Sequence, residues 1–194
     1  DYAFAHVLAG SGGVIRQLAG VTNLTGNSAG FDGQIDVLGG TLKANGDLGN
    51  ADFTVGSGGT LAGGGKVGEV TVQAGGVLAP GNSPGSLTVA SGLNLAAGSI
   101  FDVEIDGTGH NNALVLQGDV FVADGAILRL APKLGTTLNH DYAIIELDSA
   151  SLDEVIKEGD GFVVESARPL LNNLVTYSSW DVTVRFSEVG TPWS

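Results

Sequence analysis

Apolar and polar residues alternate along much of the chain in short runs broken by glycine. Phe101, Val103 and Ile105 alternate with Asp102, Glu104 and Asp106, and Trp180, Val182, Val184 and Phe186 alternate with Asp181, Thr183 and Arg185. A period of two sends successive side chains to opposite faces of a strand, so both stretches predict strands with one dry and one wet face. A nine-residue unit, apolar-x-apolar-x-x-Gly-small-x-apolar, occurs at 53–61, 70–78, 93–101 and 120–128, with starts 17, 23 and 27 residues apart. A version one residue shorter covers 35–42, and Gly12-Gly13-Val14-Ile15 is a worn copy of it. Each unit reads as a strand, a glycine turn and the start of another strand.

Such units cannot close a core alone, so they must stack. Propeller blades need roughly 40–45 residues, more than the spacing allows. A Greek-key sandwich has no reason to repeat one strand-turn-strand pattern at similar phase. A parallel β-helix does, because each coil sets equivalent residues above one another. The spacing predicts roughly eight coils at about 4.8 Å each, a rod on the order of 40 Å long. One helix is expected: Ser151-Leu152-Asp153-Glu154 has capping-box spacing, Val155 and Ile156 follow, and Gly159 could end the turn, which places a short helix near 151–158.

Composition narrows the class. The 32 glycines among 194 residues fit a chain that turns often and exclude long helices, yet they do not recur at every third position as collagen requires. With 43% hydrophobic residues and a mean hydropathy of +0.24, the chain is not compositionally disordered. Eight Lys and Arg against 21 Asp and Glu give a net charge of −13, which disfavours nucleic acid and anionic lipid as partners. The longest apolar runs, such as Ala143-Ile144-Ile145, fall far short of the ~18–20 residues that span a bilayer, and the N-terminal residues lack the order of a signal peptide. The absence of cysteine excludes disulfides, thiolate zinc sites and thiol nucleophiles.

The halves differ. Residues 1–97 hold 23 Gly, 4 aromatics and 9 charged residues; residues 98–194 hold 9 Gly, 8 aromatics and 20 charged residues. The organisation read from this is Gly-rich coils over 1–97, a C-terminal segment over 98–190 and a tail over 191–194, without a flexible linker. Ordering the second half costs less backbone entropy per residue and buries more apolar area, so it should become stable first.

The stretch Gly75-Gly76-Val77-Leu78-Ala79-Pro80-Gly81-Asn82-Ser83-Pro84-Gly85-Ser86-Leu87-Thr88-Val89 resembles a sequence typical of the autotransporter passengers (type V secretion) of Gram-negative bacteria. Upstream, Leu24-Thr25-Gly26 through Val37-Leu38-Gly39-Gly40-Thr41-Leu42 resembles the passenger-associated transport repeat of that family, and the later strands resemble its pertactin-like C-terminal segment. Asn111-Asn112-Ala113-Leu114, where the family commonly has Asp-x-Leu, and the 148–161 insertion depart from the pattern.

The resemblance implies an all-β, single-stranded right-handed parallel β-helix (β-solenoid) with a C-terminal capping and autochaperone region. The implied function is non-enzymatic: nucleation of β-helix folding and promotion of secretion across the outer membrane, for an upstream adhesin or virulence passenger. The implied location is secreted or at the cell surface. The implied partner is the outer-membrane β-barrel translocator of the same full-length chain, and because no barrel pattern occurs before Ser194 the chain is expected to be an excised fragment. The alternative is an adhesive surface that binds host cells or self-associates between bacteria, and a weaker one is a carbohydrate-active β-helix enzyme. No small-molecule substrate is expected.

Candidate chemistry is sparse. Asp102, Glu104 and Asp106 share one strand face about 7 Å apart, a spacing open to glycoside hydrolysis or calcium binding. A solvated β face is expected to carry alternate acidic residues as the polar half of the alternation, which is the favoured reading, and His110 is the one further ligand nearby. An enzyme would add basic residues on adjacent coils, and eight Lys and Arg scattered singly predict no such cluster. His6, His110 and His140 lack metal-ligand spacing and read as surface residues. Gly56-Ser57-Gly58 and Gly81-Asn82-Ser83-Pro84-Gly85 do not match a nucleophile elbow, and Gly63-Gly64-Gly65-Lys66 lacks the spacing and helix of a phosphate loop. No catalytic, cofactor or metal residue is therefore assigned. Asn45, Asn50, Asn82 and Asn94 lie beside turns and are candidates for ladders between coils.

Overall fold

The structure, a computed structural model, describes residues 2–82, 85–106, 113–148, 154–167 and 171–189. In chain order its strands are β1 (Tyr2–Phe4), β2 (Gly10–Gln17), β3 (Val21–Leu24), β4 (Phe31–Val37), β5 (Gly40–Ala44), β6 (Asp47–Leu48), β7 (Asp52–Val55), β8 (Gly59–Gly63), β9 (Lys66–Val67), β10 (Val70–Val72) and β11 (Val77–Pro80). There follow β12 (Ser86–Val89), β13 (Leu93–Leu95), β14 (Ile100–Ile105), β15 (Ala113–Leu116), β16 (Val120–Val122), β17 (Ile127–Pro132), β18 (Asp141–Leu147), β19 (Val155–Lys157), β20 (Val163–Ser166), β21 (Leu171–Tyr177) and β22 (Asp181–Glu188).

The strands form three sheets that the chain visits in rotation. Sheet A is ordered β1-β3-β5-β8-β11-β14-β17-β20, sheet B runs from β2 through β4, β7, β10, β13 and β16 to β19, and sheet C from β6 through β9, β12, β15 and β18 to β22 and β21. Every pairing in sheets A and B is parallel, as is sheet C up to β18. The chain is a three-faced parallel β-helix. Eight strands in sheet A at about 4.8 Å spacing make a stack about 34 Å long.

The nine-residue unit is the corner between sheets B and A. Phe53 pairs with Val70, Val70 with Leu93 and Leu93 with Val120, while Leu61 pairs with Leu78, Leu78 with Phe101 and Phe101 with Leu128. The shorter copy joins the same columns through Ile35 on Phe53 and Leu42 on Leu61. At each corner the amide of Gly59, Gly76, Ser99 or Ala126 donates to the carbonyl three residues earlier, at 2.9–3.1 Å. The third turn residues Gly58, Gly75, Gly98 and Gly125 have φ of 84°, 75°, 75° and 82°. That is a type II turn, whose positive φ at this position favours glycine.

Inward residues stack in apolar columns: Leu48, Val67, Val89, Leu116 and Leu147 make one in sheet C, each buried on the next. Val103 is fully buried and Glu104 faces outward, as the alternation predicts. Trp180 departs from its pattern: it lies in the turn before β22 and is 54% exposed, whereas Val182, Val184 and Phe186 are buried.

The helix expected near 151–158 is not formed. Residues 155–157 are strand β19, paired in parallel with β16 from Val120↔Val155 to Val122↔Lys157. The β-branched pair Val155 and Ile156 suits that edge, and the Glu154 amide donates to Asp119 Oδ1 at 3.0 Å. Gly159 does take a positive φ, of 50°, in the turn after β19. Residues 151–153 lie outside the described residues.

At residue 97 the chain passes between β13 and β14 within one coil, and β11 pairs with β14 across that position. The coil lengthens from 17 residues between the paired Phe53 and Val70 to 35 between Val120 and Val155.

Candidate functional site

The acidic strand face does not stand alone. β14 and β17 are in register with Asp102 opposite Arg129, and β17 and β20 with Arg129 opposite Glu165. The Arg129 guanidinium lies 3.6 Å from Asp102 and 3.6 Å from Glu165, bridging three successive coils. Lys133 forms an ion pair with Glu104. This corrects the sequence expectation that no basic residues gather on adjacent coils: stacking brings them together although they are dispersed along the chain. Burial raises the Asp102 carboxyl above its usual range, opposed by Arg129 beside it.

Each of these cations already rests on a carboxylate, so what the arrangement does chemically is hold coils together. At half-exposed positions each such pair is worth about 0–1 kcal/mol. A shallow depression of about 220 Å³ on the outer face of sheet B, lined by Gln34, Asp52, Thr54, Glu69 and Thr71, carries two carboxylates and no cation.

The histidines do not meet. His6 packs edge-on against Phe4 and His140 against Tyr142, while His110 lies outside the described residues. Among the described residues no group of three or more His, Asp or Glu is placed to hold a metal ion. Ser57 occupies the second position of a corner turn, and Ser83 lies outside the described residues. In Gly63-Gly64-Gly65-Lys66 the Gly65 amide donates to Ala44 O at 2.9 Å and the Gly64 amide to Asn45 Oδ1 at 2.9 Å, so neither is free to cradle a phosphate.

An asparagine ladder does form, in part. Asn45 Nδ2 donates to Asn23 Oδ1 at 2.8 Å, and Asn82 Nδ2 donates to Asn45 Oδ1 at 2.8 Å. Asn50 instead donates to Ala29 O, and Asn94 stands on the outer face of sheet B between Thr71 and Phe121.

The two ends of the rod differ most. At the C-terminal end β22 runs antiparallel to β18, and β21 antiparallel to β22, so a hairpin closes sheet C. Arg185, opposite Asp141 in the β18–β22 register, donates to it from Nε at 2.7 Å and from its terminal nitrogen at 2.5 Å. These bonds hold the Asp141 carboxyl below its usual range. Phe101, Phe162 and Tyr177 stack at 6.1 and 6.2 Å, and Tyr177 Oη accepts the Phe162 amide at 2.7 Å. Burial raises the Tyr177 phenol above its ordinary value.

At the N-terminal end, among the described residues, β1 pairs only with β3 and β2 only with β4, leaving a free edge on each, and Tyr2, Val7, Val14 and Leu18 are all more than half exposed. Sequence reasoning missed Arg129, Lys133, Tyr177 and the Asp141–Arg185 fork. The repeat spacing of 27 would have found the first, since it sets residue 129 on residue 102. Against known proteins, the chain matches no family model and no curated protein.

Proposed function

We propose that this chain is the C-terminal part of an autotransporter passenger: a non-enzymatic module that nucleates β-helix folding and promotes secretion across the outer membrane. Its partner is the β-barrel translocator of the same full-length chain, and its place is the bacterial surface or the medium. The observation that carries the reading is the difference between the ends. The end nearer the C-terminus is closed on sheet C by the β21–β22 hairpin, its Tyr177 bond and the Arg185 fork. The other end offers unpaired N–H and C=O groups along β1 and β2 beside exposed apolar side chains. A free edge of that kind is a template for another strand. Among the described residues sheets A and B keep free edges at both ends, on β1 and β2 and on β20 and β19, so what marks the C-terminal end is the closure of sheet C and the aromatic-rich half beside it.

The test is to make the two parts separately. A fragment covering 98–190 is expected to unfold cooperatively and resist protease alone, and a fragment covering 1–92 to remain disordered or aggregate. A folded N-terminal fragment beside an unfolded C-terminal one would refute the reading.

A further inference from the structure

We propose that Asn45-Gly46 is a site of spontaneous deamidation that the folded β-helix holds shut and the unfolded chain leaves open. It is the single Asn-Gly pair in the sequence. In an unfolded chain this pair is the most reactive of its kind, because glycine adds no side chain to hinder its own main-chain nitrogen. That nitrogen, on losing its proton, attacks the Asn45 side-chain carbonyl carbon. The C–N bond of the amide breaks and ammonia leaves, giving a five-membered succinimide. Water then opens one of the two ring carbonyls, yielding aspartate or an isoaspartate whose main chain runs through the β-carbon. The balance is one water consumed and one ammonia released, with no change of oxidation state.

Both residues are fixed by packing. A Cβ at Gly46 would collide with the Gly26 carbonyl one coil below, so glycine is required there. Asn45 engages both ends of its amide: Nδ2 donates to Asn23 Oδ1, and Oδ1 accepts from the Gly64 amide and from Asn82 Nδ2. The same contacts hold the reaction back. The Gly46 nitrogen donates to Leu24 O at 2.9 Å, and the side-chain amide it must attack is held by three hydrogen bonds, two accepted by its oxygen and one donated by its nitrogen. Attack requires both groups to be released, so in the folded protein it waits on a local opening.

The product damages the same corner. An aspartate is an acceptor only and loses the bond that Asn45 gives Asn23. An isoaspartate adds a main-chain atom and moves Gly46 off its seat on Gly26. A chain that lingers unfolded thereby loses its ladder covalently, a consequence independent of the function proposed above.

The experiment incubates the full chain at one neutral pH and temperature, native and in urea, and follows the Asn45 peptide by mass spectrometry. Conversion is expected about a hundredfold slower in the native protein, equivalent to about 2.7 kcal/mol. Asn82→Ala, at an exposed rung, is expected to raise the native rate about fivefold, or about 1 kcal/mol, and leave the urea rate alone. Indistinguishable native and urea rates would overturn the protection, and an unchanged native rate in Asn82→Ala would overturn the ladder as its source.

Discussion

Replacing Tyr177 by Phe removes one oxygen and keeps the ring. That oxygen accepts the amide of Phe162, a residue only 8% exposed that closes the last B–A corner. Without it the amide proton is left unpaired at the end of the core, a loss of about 1–3 kcal/mol. For a chain of this size each kcal/mol lowers the melting temperature by about 2–4 °C, so a fall of roughly 2–12 °C is expected. The aromatic stack over Phe101 should survive, and the change should be local, because solenoid stability is a sum of coil and neighbour contributions. Thermal unfolding by circular dichroism gives the first quantity and amide hydrogen exchange at Phe162 the second. An unchanged melting temperature together with unchanged exchange at Phe162 would show that the hydroxyl does not fasten the cap. The pH dependence has a definite sign. The folded-state pKa is raised above the ordinary tyrosine value near 10, so the unfolded chain loses this proton first. The contribution of Tyr177 is full below about pH 10 and declines as pH rises beyond it.

Other outcomes follow from the same geometry. Val103→Asp places an unpaired charge in a fully buried position and should cost several kcal/mol, whereas Glu104→Ala on the wet face should stay near 0.5 kcal/mol or below; equal melting losses would put the strand register off by one. Ser99 is 1% exposed and its hydroxyl has no partner, while Ala126 holds the equivalent place one coil on. Ser99→Ala should therefore stabilise by up to about 1 kcal/mol, and a lowered melting temperature would contradict this. The depressed Asp141 carboxyl contributes stability above the unfolded carboxylate value near 3.9 and loses it as pH falls through the lower folded value. Exchange of β22 amides should accelerate there in the native protein and be insensitive to that pH range in Asp141→Asn.

The corners between sheets B and A were legible because two local signals agree in them. Alternation marks the strands, and glycine at the third turn position marks a backbone angle that other residues rarely adopt. Spacing between units then supplied the register, since paired residues such as Phe53, Val70, Leu93 and Val120 are the starts of successive units. The expected helix failed for the opposite reason. The capping-box pattern at 151–154 is local, while pairing of Val155 with Val120 depends on a strand 35 residues away. The Asp102–Arg129–Glu165 ladder was hidden in the same way, as its members become neighbours only through stacking. Among the asparagines, Asn45 and Asn82 share a corner column, but Asn94 alternates onto a sheet face, which nearness to a turn could not distinguish. The antiparallel closure of sheet C breaks the repeat, so the repeat could not announce it.

Native-state hydrogen exchange over the whole chain tests the central claim most directly, because it reads the stability of every coil in one intact molecule. Slowest exchange is expected in β14 through β18 and in β22. Protection should fall coil by coil toward β2 and β1, whose outer edges are free. A profile with the strongest protection in the first glycine-rich coils and the weakest around β18 and β22 would contradict a stable C-terminal body that templates the rest.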